Sequence, residues 1–152
     1  MIKQDFISKY IQELNKTLAR IISLEVGNAD EGFLIIFNQM LQSYYKIDDN
    51  NLSTLLEANE ERDQFLLADE LKKKNILTFM KAIRIYLNRE DVAKAKASYE
   101  VLKRIESINS GIFQFPTEED NLIAQERKVV EEKMSNMEDL VKILNLDKVA
   151  KK

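Results

Sequence analysis

Apolar residues recur three and four positions apart along most of the chain, with polar residues filling the positions between. From Phe6 to Val26 the series Phe6, Ile7, Tyr10, Ile11, Leu14, Leu18, Ile21 and Ile22 runs with Lys9, Glu13, Lys16 and Arg20 interleaved, which predicts an amphipathic helix. Gly27 and Asn28 are residue types that tolerate left-handed backbone and end a helix, and Asn28 or Asp30 suits the cap of the next one. So short a connection folds the two helices back as an antiparallel hairpin. The second helix carries Phe33 to Phe37, Met40, Leu41, Tyr44 and Tyr45, and its wide apolar girth predicts the most buried element.

Asp48-Asp49-Asn50-Asn51 then breaks the pattern. A calcium loop places glycine sixth and glutamate twelfth, but counting from Asp48 those places hold Ser53 and Asn59, so the tetrad reads as a solvated turn. Leu52, Leu55 and Leu56 predict a short helix ending near Ala58 or Asn59. From about Glu61 to Leu87 no proline or glycine intervenes, and the spacing predicts one long helix with Asn75 as its candidate break. Lys72-Lys73-Lys74 lies within it and reads as a solvated face, the other reading being a contact for an anion or an acidic partner.

Asn88 to Asp91 forms the next turn, and Val92 to Ile108 a further amphipathic helix closed by Gly111. Phe113-Gln114-Phe115-Pro116 reads as an extended tether. Thr117 followed by Asp120 resembles a capping box, with Glu118 and Glu119 well placed at a helix N-terminus. The last helix, Glu118 to Asn145, carries a seam of Ile123, Arg127, Val130, Met134, Met137, Val141 and Leu144 in alternating steps of four and three. Such a seam suits self-association, while Leu122, Val129 and Leu140 widen the stripe and suit packing along the chain's own bundle.

The expected fold is an all-α bundle of antiparallel helical hairpins, tetratricopeptide-like, forming a single domain over residues 1–146 with a long C-terminal helix and a frayed tail at 147–152. The tetratricopeptide-like spacing is that of Phe79, Ala82, Ile83 and Tyr86 against Ala95, Tyr99 and Leu102, with the small Ala95 letting the helices approach. Gly32 offers a similar small residue in the first hairpin. No repeat of about 34 residues runs through the chain, so an ordinary antiparallel bundle stands beside that reading.

Composition narrows the chemistry. Histidine and cysteine are both absent, which excludes Ser-His-Asp and Cys-His catalysis, thiol redox pairs and the usual zinc and di-iron sites. The three glycines are isolated, so there is no phosphate-cradling loop. A net charge of -3 argues against nucleic-acid binding. No apolar run approaches the roughly 18 residues of a membrane span, and the start lacks the order of a secretory signal. A cytoplasmic protein with no cofactor, metal or membrane attachment is expected.

The opening Met1-Ile2-Lys3-Gln4-Asp5-Phe6, the long first helix and Leu66-Leu67-Ala68-Asp69-Glu70-Leu71 resemble a family of small bacterial cytosolic helical proteins of unknown function, with tetratricopeptide-like helices. The resemblance spans Met1 to about Ile108 and lends no catalytic or binding residues. The function expected is therefore a non-enzymatic protein-protein interaction module, an adaptor or scaffold for an unidentified protein or peptide. Its candidate partner surface is the concave side of the Phe79 to Leu102 hairpin, with Arg84, Arg89, Lys94 and Lys96 at its edges. The alternatives are a structural homodimer built through Ile123, Val130, Met134, Met137, Val141 and Leu144, and an enzyme using carboxylate or lysine chemistry.

Overall fold

The structure, a computed structural model, describes residues 2–23, 30–107 and 118–150, with side chains at 8–23, 30–107, 118 and 120–136. The turn at Gly27, the stop at Gly111, the Phe113 to Pro116 tether and the Thr117 cap lie outside the described residues. So do the side chains of Met137, Val141 and Leu144.

In chain order the elements are α1 (Ile2–Ser23), α2 (Asp30–Met40) running into a wide π turn (Leu41–Tyr45), a 3-10 stretch (Asp49–Leu56), α3 (Glu60–Leu66), a 3-10 turn (Asp69–Leu71), α4 (Lys72–Asn88), α5 (Val92–Ser107) and α6 (Glu118–Ala150). No strand occurs among the described residues, and the fold is an all-α helical bundle. No described helix is long and apolar enough to cross a membrane. The α6 backbone is helical as far as Ala150, past the Asn145 at which the sequence pattern ends it and into the segment expected to fray.

Helical periodicity sets which residues enter the core. Leu14, Leu18 and Ile21 of α1 and Phe33, Phe37 and Met40 of α2 are buried at steps of three and four. Phe37 stacks on Phe33 at 5.7 Å between centroids and meets Phe79 of α4 edge-on at 5.5 Å, which ties α2 to the centre of the bundle. That centre is α4 rather than α2. Between Asn75 and Leu87 only Arg84 escapes burial, because α1, α5 and α6 all pack on this helix. Helix α2 instead keeps Ile35 58% exposed.

The long helix expected from Glu61 to Leu87 breaks ahead of Asn75, at Leu67 to Leu71. Buried Asn75 causes the difference, since its Nδ2 donates to the carbonyls of Leu66 at 3.3 Å and Phe65 at 3.4 Å. Those carbonyls lie at the end of α3, where the helix itself offers no donors. One side chain from the next helix thus stabilises the break.

Upstream, the π turn ends at Lys46, whose φ of 58° is left-handed and whose backbone N–H reaches the Leu41 carbonyl. Asp48 then caps the 3-10 stretch by accepting from the Asn50 N–H at 2.9 Å. At the α4–α5 turn, Glu90 takes a φ of 61°, the Asp91 N–H donates to the Tyr86 carbonyl at 2.8 Å, and Asp91 Oδ1 accepts from the Lys94 N–H at 3.3 Å. Ala95, in the first turn of α5, is 1% exposed and belongs to the core. Gly32 does not play the matching part in the first hairpin. A Cβ built there meets nothing within 4 Å among the described residues, so no close approach between described helices depends on it.

Candidate functional site

Where α4 turns into α5, side chains from four segments meet. The Tyr86 hydroxyl donates to Asp49 Oδ2 at 3.1 Å, and Lys94 Nζ lies 3.2 Å from the same oxygen and 3.6 Å from Asp91 Oδ2. The ammonium also sits 5.9 Å from the centroid of the Tyr86 ring. From the other side, Asn38 Oδ1 accepts from the Asp49 backbone N–H at 3.0 Å, while Asn38 Nδ2 donates to the Leu34 carbonyl at 3.1 Å. The Asp49 side chain is only 14% exposed. Here the expectation of a solvated turn is corrected: a tyrosine and a lysine far along the chain draw this carboxylate inward.

This cluster ties the α4–α5 turn to the 3-10 stretch and to α2. Burial and the adjacent Asp49 carboxylate push the Tyr86 phenol well above its ordinary range, so it stays a hydrogen-bond donor. Among the described residues no group of three or more acidic side chains is placed to hold a metal ion.

The four cations expected to edge a partner surface are dispersed by the fold. Arg84 reaches Glu126 of α6 with its Nη1 2.9 Å from Oε1, Arg89 reaches Glu31 of α2 at 3.5 Å, and Lys94 belongs to the Asp49 cluster. Lys96 is exposed on α5. Three of the four therefore spend their charge on partners within the chain. Helix α4 itself is covered by α1, α5 and α6. Lys72, Lys73 and Lys74 are half-buried rather than solvated, and Lys73 meets Asp120 of α6 at 3.1 Å.

Along α6, Val130 is 1% exposed within the core, and Ile123 and Met134 pack against it half-buried. This half of the seam is occupied by the chain's own bundle. Contacts Lys73–Asp120 near the start of both helices and Lys133–Asn88, 3.0 Å apart at the end of α4, set α6 parallel to α4. Arg127 adds a forked contact to Glu106 of α5, with Nη1 3.1 Å from Oε1.

Sequence reasoning passed over Lys81. It is 7% exposed on α4, donates to the Ile22 carbonyl at 3.3 Å and lies 5.5 Å from the Phe33 ring centroid. Desolvation, with Arg84 adding repulsion, lowers its pKa, while Glu126 and Asp30 act the other way. The signal was a lone lysine inside the apolar run Phe79-Met80-Lys81-Ala82-Ile83. Its bond to a carbonyl in the last turn of α1 makes it a helix cap, a use of positive charge that the helix dipole favours.

No family model matches the chain, and no curated protein or solved structure matches it either.

Proposed function

We propose that the chain is a non-enzymatic protein-interaction module, an adaptor or scaffold of the bacterial cytosol that engages another protein or peptide. The observation that supports this reading is the length of α6. It has 33 residues, against 17 in α4, the helix it lies along. At about 1.5 Å per residue the two span about 50 Å and about 25 Å, so half of α6 has no counterpart in α4. By spacing, Met137, Val141 and Leu144 continue the Ile123, Val130 and Met134 seam into that half. The tetratricopeptide-like character belongs to the same proposal, supported by the α4–α5 hairpin packed at Ala95.

The chemistry of the shifted groups supports a binding role. Tyr45, wholly buried, and Tyr86 are pushed up, and Asp63 is held down by the Arg104 guanidinium. These three stand further from neutrality than in water, the opposite of what proton transfer near pH 7 asks for, and Lys81, which shifts the other way, is engaged by the Ile22 carbonyl.

Affinity capture of tagged full-length protein from its native cytosol, with the eluate sized by light scattering, tests the reading. A stoichiometric second protein that is lost when Met137 and Leu144 are both changed to lysine supports the adaptor, provided helical content is retained. Undiminished capture by that variant sinks it. A homodimer through α6 is the second reading, favoured by the continuity of the seam. Its signature is the same chain at twice its mass, reverting to a monomer in the double-lysine variant.

A further inference from the structure

The attachment of α6 differs in kind from that of α5. Helix α5 buries Ala95, Ser98, Val101, Leu102 and Ile105, whereas among the described residues of α6 only Val130 is buried. Leu122 and Val129 of α6 remain 45% and 36% exposed. Beside Val130 and the half-buried Ile123 and Met134, α6 is held by a series of polar links along its described length: Lys73–Asp120, Arg84–Glu126, Arg127–Glu106 and Lys133–Asn88. The central link is imperfect. Arg84 Nε and Glu126 Oε2 are both buried with no hydrogen-bond partner, so the pair makes one good bond while leaving two polar atoms uncompensated.

On α4, Lys73, Arg84 and Asn88 share a helical face with Leu77 and Met80, by their spacing of three, four and seven. Leu77 is 4% exposed yet stands apart from the main hydrophobic cluster. Its cover is α6. Lifting α6 would wet this stripe and leave the Phe33–Phe37–Phe79 centre dry.

We propose that α6 is a latch: its segment 118–136 opens from α4 and α5 as a unit, without global unfolding, and ionic strength sets how often it does so. Salt screens the more exposed of these pairs, Lys73–Asp120 and Arg127–Glu106, and so loosens α6, whereas the covered Arg84–Glu126 pair and the apolar burial of α5 respond far less. The inference is independent of the adaptor reading, because it concerns only how the chain holds its own helix.

Amide hydrogen exchange of the full-length protein, read by mass spectrometry at about 0.05 M and about 0.5 M sodium chloride, tests it. Opening of 118–136 is expected to rise about threefold or more between the two salts, with α4 and α5 unchanged. Exchange of 118–136 in step with α4 at both salts overturns the proposal. Asp120→Asn, at a side chain 42% exposed, supplies the second check. It is expected to speed opening of 118–136 alone, and an equal rise in α4 and α5 overturns the latch.

Discussion

Arg104 closes both terminal nitrogens on the Asp63 carboxylate, Nη1 2.8 Å from Oδ1 and Nη2 3.0 Å from Oδ2, while Nη1 also donates to the Leu55 carbonyl at 3.0 Å. One guanidinium thus pins α5, α3 and the end of the 3-10 stretch together. Both side chains are about four-fifths covered, at 19% and 22% exposure, and a forked, charge-assisted pair of this kind outlasts the solvent screening that weakens surface pairs. The hydrogen bonds from Arg104 hold the Asp63 carboxyl below its usual range, against a smaller opposing effect of burial. The folded-state pKa is therefore below the unfolded one, and the stabilisation is present in full above the ordinary carboxylate range and disappears as pH falls through the folded value. We expect Asp63→Asn to lose about 1–2 kcal/mol near pH 7, measured by urea unfolding, and the gap from the native chain to close in acid. A gap that stays constant down to about pH 2 rules this out.

The contacts that sequence reasoning read correctly and those it missed differ in range. The buried faces of α1, α2 and α5 follow from steps of three and four, because each is set by residues within two turns of one another. The break before α4 lies earlier than the residue pattern indicates, because it depends on Asn75 reaching back to Phe65 and Leu66. Nothing near Asp49 along the chain announces its burial, because its partners, Tyr86 and Lys94, lie in a different hairpin. Arg84, Arg89 and Lys94 read as partner-facing cations for the same reason, since nothing local announces Glu126, Glu31 or Asp49. The apolar stripe of α6 was legible, but not that polar links would outnumber buried apolar residues in holding it.

Tyr45 and Tyr86 share a second pH signature. Burial is the main cause that raises both phenols, joined by Asp63 at Tyr45 and by Asp49 at Tyr86. With folded pKa values above the unfolded value of about 10, the native state keeps protons that the unfolded chain gives up, so stability falls as pH climbs past about 10. In an alkaline absorbance titration near 295 nm we expect these two tyrosines to ionise only as the chain unfolds. Replacing Tyr86 with Phe is expected to cost about 1 kcal/mol, because Asp49 then keeps Lys94 but loses its hydroxyl donor. Smooth ionisation of all five tyrosines in the folded protein contradicts the structure.

Lys81 responds in the opposite direction. Desolvation places its folded pKa below the unfolded value of about 10.4, so the folded state sheds the proton first and gains stability as pH rises through that window. Methionine has a similar length and no charge to desolvate. We expect Lys81→Met to be more stable than the native chain by about 0.5–1 kcal/mol near pH 7, with the advantage shrinking toward pH 10. A destabilised variant at both pH values means that the bond to Ile22 outweighs the burial of the ammonium.

Two small residues that look alike in the sequence should part company on substitution. Gly32 lies in α2 with no neighbour in reach of an added Cβ, and glycine is the costliest ordinary residue in a helix apart from proline. Alanine there removes freedom from the unfolded chain and strains nothing in the folded one, so Gly32→Ala is expected to gain about 0.5 kcal/mol. Ala95 of α5 is 1% exposed in the core, and three extra carbons have no space to enter. Ala95→Leu is expected to lose about 1–3 kcal/mol by forcing the helices apart. Thermal unfolding of the two variants in parallel decides whether the α4–α5 hairpin alone depends on a close approach, or whether the first hairpin depends on one too. If Gly32→Ala lowers the midpoint as Ala95→Leu does, α1 and α2 meet more closely than the contacts around Gly32 allow.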